Sequence, residues 1–384
     1  DSMWRGTGPN QMGNNLPVIN LGTGRTASQI AAGGQYTCAR LDTNDVKCWG
    51  YGASGRLGYG DTVNRGDGLN EMGDQLPTVN LGTGRTAVEI AVGDSHACAR
   101  LDTNDIKCWG AGGKGQLGYG DKITRGDGPN EMGDNLPTVN LGTGRTAVQI
   151  IVGTSADYPH TCVRLDTNDV KCWGNVYLGY GDILARGDGG GEMGDNLPVI
   201  DLGAGRTALE ISAGAGTTCA RLDNGDVKCW GAGSAGALGQ GNTNDVGTKP
   251  DQMGDNLDKI NLGTGRKALQ ISTSGSHTCV ILDTQGVKCW GEASSGQLGY
   301  GDTYDRGKIW YGGYSMGSLP TVDLGTGRKA LQIATAGAVT CAVLDTYKIK
   351  CWGSGNMGAL GYGDTNKRGD NPNEMGNYLP TVDL

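Results

Sequence analysis

The sequence predicts an all-β fold, a β-propeller of six repeats with four short strands in each blade. Three observations lead to this prediction. A segment with two cysteines ten positions apart occurs six times in 384 residues, and successive first cysteines are separated by 57 to 64 residues. Glycine and turn residues interrupt every stretch that is long enough to hold a helix. Two further short apolar segments accompany each cysteine segment, which brings the predicted strands to four per repeat.

The first three strands of a repeat are a short apolar strand and a hairpin that carries both cysteines. In the first repeat, the apolar strand ends near Gly33 and the hairpin runs from Thr37 to Gly50. Because side chains alternate between the faces of a strand, a tight turn places Cys38 opposite Cys48, within disulfide reach. The predicted disulfides, one per blade, are Cys38–Cys48, Cys98–Cys108, Cys162–Cys172, Cys219–Cys229, Cys279–Cys289 and Cys341–Cys351.

Zinc is the alternative use for these cysteines. His96, His160 and His277 each stand two positions before a cysteine. The spacing is not that of a zinc site, and the other repeats have Tyr36, Thr217 and Val339 at this position. We therefore favour disulfides and predict no metal site.

A tryptophan follows the second cysteine of every hairpin and is itself followed by glycine. A strand end is a position where a large aromatic side chain can pack between adjacent blades, which we favour over a sugar-stacking role. These predicted core residues are Trp49, Trp109, Trp173, Trp230, Trp290 and Trp352. Trp4 and Trp310 lie outside the pattern and are candidates for a contact surface.

A long polar segment follows each hairpin, for example residues 51–75, and we expect an ordered loop on one face of the disc. It contains Arg65-Gly66-Asp67, a tripeptide that integrins read as an adhesion motif. Since the tripeptide recurs at the repeat period, we predict instead that the arginine pairs with a neighbouring carboxylate. The clustered loop acids match no calcium motif, which favours solvated side chains over a bound cation.

The fourth strand of each repeat begins with Leu-Pro in most copies and is called the LP segment below. Proline cannot donate to a β-ladder, which predicts an outer edge strand. There are seven LP segments, including Leu16–Leu21 and Leu379–Leu384, but only six hairpins. The extra copy either adds a fifth strand or completes a neighbouring chain, and the second choice leads to head-to-tail filaments. The candidate assembly residues are Leu16, Pro17, Val18, Ile19, Leu379, Pro380, Thr381 and Val382.

Three motifs of the fifth repeat, residues 275–279, 286–291 and 296–301, resemble the regulator-of-chromosome-condensation repeat. Some version of them occurs in all six repeats. The resemblance implies a β-propeller, usually of seven blades, so seven is the alternative to six. The cysteine pair is similar to that of secreted members of the family. The family also includes an exchange factor for a small GTPase that docks on nucleosomes, and the acidic chain without a basic tail gives no support for those roles.

Composition and charge narrow the function. A net charge of −8 argues against a nucleic-acid partner, and no apolar run is long enough to span a membrane. Twelve cysteines in pairs favour an oxidising, extracellular compartment, and the polar start at Asp1 fits a mature secreted form. No catalytic constellation or cofactor motif stands out. We predict one domain over residues 1–384, a non-enzymatic extracellular scaffold that self-associates through the extra LP strand. The alternative is a binding or inhibitor module whose loop face meets a protein or glycan.

Overall fold

A computed structural model describes residues 3–308 and 315–384. Within these residues, eighteen strands form six antiparallel sheets, each made of three consecutive strands. The strands are β1 (Ala27–Ala32), β2 (Tyr36–Leu41), β3 (Val46–Gly50), β4 (Ala87–Val92), β5 (His96–Leu101), β6 (Ile106–Gly110), β7 (Ala147–Val152), β8 (His160–Leu165), β9 (Val170–Gly174), β10 (Ala208–Ala213), β11 (Thr217–Leu222), β12 (Val227–Gly231), β13 (Ala268–Ser274), β14 (His277–Leu282), β15 (Val287–Gly291), β16 (Ala330–Ala336), β17 (Val339–Leu344) and β18 (Ile349–Gly353).

The loops contain short 3-10 helices and, in the described residues, no α-helix. The 3-10 helices are Gly13–Asn15, Ala53–Gly55, Gly73–Gln75, Gly133–Asn135, Gly194–Asn196, Ser234–Gly236, Gly254–Asn256, Met316–Ser318, Asn356–Gly358 and Gly376–Tyr378. This all-β architecture agrees with the lack of helical periodicity in the sequence.

Each hairpin has the register that opposes its two cysteines. In the first sheet Cys38 pairs with Cys48 and Arg40 with Val46, and the other five sheets repeat this alignment. All twelve cysteines form six disulfides, one per repeat, with Cα–Cα distances of 4.0 to 4.1 Å. In the chain-entropy model, a loop of this length stabilises the folded state by about 2.7 kcal/mol.

The fourth strand predicted for each blade is absent as a strand among residues 3–308 and 315–384, where every sheet has three strands. The LP segments instead make one backbone hydrogen bond to the third strand, such as Val79 N–H to the Val46 carbonyl at 2.7 Å. Two residues earlier stands Pro77, which has no N–H to donate. Two residues later, the Leu81 carbonyl accepts from Lys107 Nζ of the next repeat at 2.9 Å. The ladder therefore stops after one bond.

The chain divides into two compact units. The first contains Ile19–Asp201, with β1 to β9, and the second combines Met3–Val18 with Leu202–Leu384, which holds β10 to β18. Within each unit, consecutive sheets pack face to face, as β4 does between β1 and β7. The single domain over residues 1–384 stays a prediction.

Four of the tryptophans contact the loop of the preceding repeat within their own unit. The structure buries Trp109, Trp173, Trp230, Trp290 and Trp352, each at most 1% exposed. The Trp109 indole N–H donates to the carbonyl of Arg56 in the preceding loop at 3.1 Å, and Trp290 donates to Ala237 at 3.0 Å. Trp49 is only half-buried. Trp4 is 64% exposed, and Trp310 lies outside the described residues.

Candidate self-association site

Within each unit, the loop of one repeat packs backbone to backbone on the loop of the preceding repeat. A Cβ on Gly55 would come within 2.3 Å of the Gly126 carbonyl carbon, and Gly60 N–H donates to the Gly126 carbonyl at 3.0 Å. Gly55 and Gly126 have φ values of +68° and +88°, a region that L-residues with side chains rarely adopt. Glycine is therefore required at these loop positions, both for the backbone turn and for the close contact between the loops.

Residues 3–15, which we call the N-terminal clasp, occupy the corresponding place on the loop of the sixth repeat. A Cβ on Gly358 would meet the Gly6 carbonyl carbon at 2.5 Å, just as Gly55 would meet Gly126. Gly13 N–H donates to the Asp383 carbonyl at 3.2 Å, as Gly73 does to Asn20 at 3.0 Å. The clasp thus substitutes for the loop of a following repeat.

The clasp also has internal order and an apolar anchor. The side-chain oxygen of Gln11 accepts from the N–H groups of Thr7 and Gly8 at 2.9 and 3.1 Å. The Met12 side chain packs against a buried cluster of Cys351, Leu360 and Val382 in the sixth repeat. A preformed loop with one half-buried apolar anchor is a suitable unit for docking, because little chain entropy is lost when it binds.

The two terminal LP segments differ in their surroundings. In the C-terminal copy, Leu379 is 1% and Val382 9% exposed, and Val382 N–H donates to the Ile349 carbonyl of its own sheet at 2.8 Å. Pro380 and Thr381 are exposed between them. In the N-terminal copy Ile19, which takes the place of Val382, is 54% exposed. The extra LP segment is therefore the N-terminal one.

Leu16 of the N-terminal LP segment is also more accessible than its counterparts. Leu16 is half-buried where Leu76 is 1% exposed, and Pro17 and Val18 are exposed. This segment follows the clasp directly and leads into β1. It therefore behaves as a connection between the clasp and the first repeat.

Each terminal repeat also has an open sheet face. On β1, Ile30 is 65% exposed, whereas Ile90 and Ile150 at the same register position are 3% and 2% exposed. In the sixth repeat the disulfide face holds Val339, Cys341, Val343 and Ile349, which are half-buried. The fully buried Cys279 shows how a following sheet covers this face in the fifth repeat.

The arginines of the Arg-Gly-Asp tripeptides are already ion-paired. Arg125 Nη2 lies 2.7 Å from Asp121 Oδ2, and its guanidinium stacks 4.4 Å from the centroid of the Tyr119 ring. The hydrogen bond from Arg125 lowers the pKa of Asp121. Equivalent pairs join Arg65 to Asp61, Arg186 to Asp182, Arg306 to Asp302 and Arg368 to Asp364. These ion pairs confirm the prediction that the loop arginine pairs with a neighbouring carboxylate.

The loop acids accept hydrogen bonds from backbone amides. Glu131 Oε2 accepts from the N–H groups of Gly126, Asp127 and Gly128 at 2.8 to 3.0 Å. The parts of the chain that the structure describes contain no group of three or more side chains of the types that hold a metal ion. Nor do they contain a helix long and apolar enough to cross a membrane.

Two of the three histidines, His96 and His277, point into the packing between consecutive sheets. His96 Nε2 lies 2.9 Å from Thr161 Oγ1, and His277 Nε2 lies 2.8 Å from Thr340 Oγ1 of the next sheet. Burial lowers the pKa of His96 to about 3 and that of His277 to about 4. Both are therefore neutral core residues at physiological pH.

The buried lysines that join neighbouring repeats were not predicted from the sequence. Lys107, 5% exposed, donates through Nζ to the Leu81 carbonyl of the preceding LP segment and to the Gly133 carbonyl at 2.7 Å. Equivalent lysines are Lys47, Lys171, Lys228, Lys288 and Lys350. The sequence contains a pattern that could have revealed them, because a lysine directly precedes the second cysteine in all six hairpins.

Six three-stranded sheets, stacked within each unit and stapled by one disulfide each, define a disulfide-linked β-repeat protein. Sequence profiles of the regulator of chromosome condensation (RCC1) repeat match residues 27–56, 87–116, 209–237 and 269–297, and a second profile of the same repeat matches 224–281. The chain therefore contains repeats of the RCC1 type.

Three known proteins are similar to this chain. The human E3 ubiquitin-protein ligase HERC2 is 28% identical over 71% of this chain, which spans only 5% of that protein. The ultraviolet-B receptor UVR8 of Arabidopsis thaliana is 28% identical over 76% of this chain, which spans 58% of the receptor. Yeast RCC1 (Prp20), in a crystal structure with bound Kap60, superposes with a TM-score of 0.64 at 18% identity, over 93% of this chain and 74% of that one.

Proposed function

We propose that the protein is a non-enzymatic extracellular scaffold that assembles head to tail by exchanging its N-terminal clasp. The clasp of one copy would dock on the sixth repeat of the next copy. The observation that carries this proposal is that Met3–Val18 packs with the C-terminal repeats of the second unit. A docked terminal segment of this kind can be supplied by the same chain or by another copy.

Exchange retains every contact of the docked clasp. Gly6 against Gly358, the Gly13 bond to Asp383 and the Met12 anchor are the same whichever copy contributes the clasp. Only the connection, residues 16–19, has to change its path, because the carbonyls of Asn20 and Leu21 already accept hydrogen bonds from Gly73 and Lys47 of the first repeat. Four extended residues reach roughly 13 to 14 Å, at 3.3–3.6 Å per residue. Since this interface joins two different surfaces, repeated exchange yields a filament unless the rotation closes a ring.

The six disulfides support the extracellular part of the proposal. Structural disulfides persist in oxidising compartments and are rare in the cytosol. Here each repeat has one, and all twelve cysteines are used. A scaffold outside the cell, where no chaperone repairs it, gains from such a staple in every repeat.

A second candidate is a protein-binding module that uses the loop face. An exposed apolar side chain recurs two positions after a loop aspartate, as Val63, Ile123 and Leu184, which are 58% to 61% exposed. Each is held in place because its N–H donates to that aspartate at 3.0 Å. Yeast RCC1, which has the same fold, is bound to Kap60 in its crystal structure. A rigid row of apolar side chains would suit a protein partner.

Light scattering and electron microscopy of the purified chain, from micromolar to high concentration, test the exchange. We expect elongated assemblies whose mass rises with concentration. Gly6→Val should abolish them, because Gly6 has a φ of +81° and its Cβ position lies 3.0 Å from the Gly358 carbonyl oxygen. Gly24→Val is the matched control, since Gly24 has a φ of +70° with no atom within 4 Å. A wild-type chain that stays monomeric, or a Gly6→Val chain that assembles equally well, would contradict the proposal.

A further inference from the structure

A cavity of about 300 Å³ lies in the second unit, where the fifth and sixth repeats meet. Its volume is at the lower end of the range for small-molecule sites. The residues that matter for its chemistry are Tyr300, Pro320, Asp323, Asn371, Pro372 and Tyr378.

Two of these residues depart from the repeat pattern. Tyr378 occupies a position where other repeats have Gln75, Asn135, Asn196, Asn256 and Ser318. Asn371 occupies a position where other repeats have Gly68, Gly128, Gly189 and Lys249. In a repeat protein the equivalent junctions serve as internal controls, because they already satisfy the needs of the fold. Two departures that line the same cavity therefore call for an explanation other than packing.

The lining combines one accessible aromatic ring with nearby polar groups. Tyr378 is 73% exposed, so its ring contributes little to the core. The carboxylate of Asp323 is a hydrogen-bond acceptor, and its Oδ1 accepts from Gly325 N–H at 2.8 Å. The Asn371 side chain donates through Nδ2 to Glu374 Oε1 at 3.3 Å, and its Oδ1 is an acceptor. A flat apolar face beside carboxylate and amide groups is complementary to a ligand with one apolar face and a rim of hydroxyls.

We propose that this cavity binds a neutral sugar ring, which stacks on Tyr378 and donates hydroxyl hydrogen bonds to Asp323 and Asn371. A proline-rich peptide is the main competitor, but grooves for such peptides are lined by several aromatic rings. The second ring at this site, Tyr300, already has the Arg306 guanidinium 4.4 Å from its centroid. One free ring flanked by polar side chains favours the sugar. This site is independent of the clasp, so failure of either proposal leaves the other standing.

Saturation-transfer difference NMR on the full chain tests the site with galactose, glucose, mannose and N-acetylglucosamine as probes. We expect at least one sugar to show saturable transfer that weakens at least tenfold in Tyr378→Asn and in Asn371→Gly. Both substitutions restore residues that other repeats carry, so the fold should be retained. Tyr304→Asn, which removes a tyrosine 70% exposed outside the cavity, is the control.

Three results would overturn the proposal. They are the absence of transfer to all four sugars, equal transfer with the wild-type and Tyr378→Asn chains, and an equal loss in Tyr304→Asn. Binding of a proline-rich peptide with loss in Tyr378→Asn, but of no sugar, would assign the cavity to a peptide instead.

Discussion

Ile30 and Ile150 occupy the same register position in two repeats of the first unit, yet one is 65% exposed and the other 2%. Both pair with the middle strand of their own sheet, Ile30 with Ala39 and Ile150 with Val163. The difference is the preceding sheet, because β7 packs against β4 and β5 of the sheet before it, whereas β1 packs against β4 of the sheet after it. Stability in this molecule therefore comes from the contacts between repeats more than from the repeat itself, as expected for stacked repeats.

Substitution of the tryptophans that follow the second cysteine should give the largest contrast between a covered and an open repeat. Trp173→Ala should destabilise the protein by about 3 to 5 kcal/mol, because the side chain is fully buried. Trp49→Ala should cost less than half of that, since Trp49 is half-buried. Urea unfolding of both variants and the wild type measures the difference. Equal losses would mean that the first repeat is covered in solution.

The isoleucine pair provides the next contrast. Ile150→Ala should cost about 2 to 4 kcal/mol, because it leaves a cavity between packed sheets. Ile30→Ala should change the free energy of unfolding by less than about 0.5 kcal/mol, the usual limit for surface positions. Thermal or urea unfolding measures the loss of unfolding free energy in each variant. The two variants carry the same substitution at the same register position of different repeats. A loss above 1 kcal/mol in Ile30→Ala would contradict the open face.

Acid should weaken the contacts between repeats that contain buried histidine. The folded-state pKa of His277, about 4, lies below the usual value of about 6.5 in an unfolded chain. Above pH 6.5 both states are neutral and the stability is fully present. As the pH falls from 6.5 towards 4, the unfolded state binds the proton first, so stability is lost by up to about 1.4 kcal/mol per pH unit.

Unfolding measured between pH 7 and pH 4.5 checks this histidine effect. His277 faces Thr340, with Glu292 as the charged group whose field opposes the burial effect. His277→Thr, which places there the residue of the fourth repeat at Thr217, should flatten the pH dependence. An unchanged slope in this variant would show that other groups, such as loop carboxylates, dominate.

The LP segments should give the smallest effects. Ile200→Thr places a hydroxyl at a position that is 4% exposed and should cost about 1 to 3 kcal/mol. Ile19→Thr, at the equivalent position that is 54% exposed, should be within about 0.5 kcal/mol of the wild type. Urea unfolding again distinguishes the pair. A large loss in Ile19→Thr would mean that the N-terminal LP segment is covered, for instance by a second copy.

Local features of the fold were predictable from the sequence, whereas features that depend on neighbouring repeats were not. The cysteine spacing predicts the hairpin register and the disulfides, because both follow from the alternation of side chains along two strands. The missing fourth strand was not predictable, since it depends on the Leu81 carbonyl being taken by Lys107 of another repeat. The two terminal LP segments both begin with Leu-Pro, so their sequences could not reveal which one lies exposed.

Clasp exchange is tested most directly by cross-linking between isotopically distinct copies. Equal amounts of ¹⁴N and ¹⁵N chains, with a photo-reactive residue in place of Met12, would be refolded together with their disulfides intact. Met12 lies against Leu360 and Val382, so irradiation should join the clasp to the sixth repeat. If the clasp is exchanged, about half of the cross-links in the assembled fraction will join a ¹⁴N to a ¹⁵N chain. Assemblies in which every cross-link stays within one chain would contradict it.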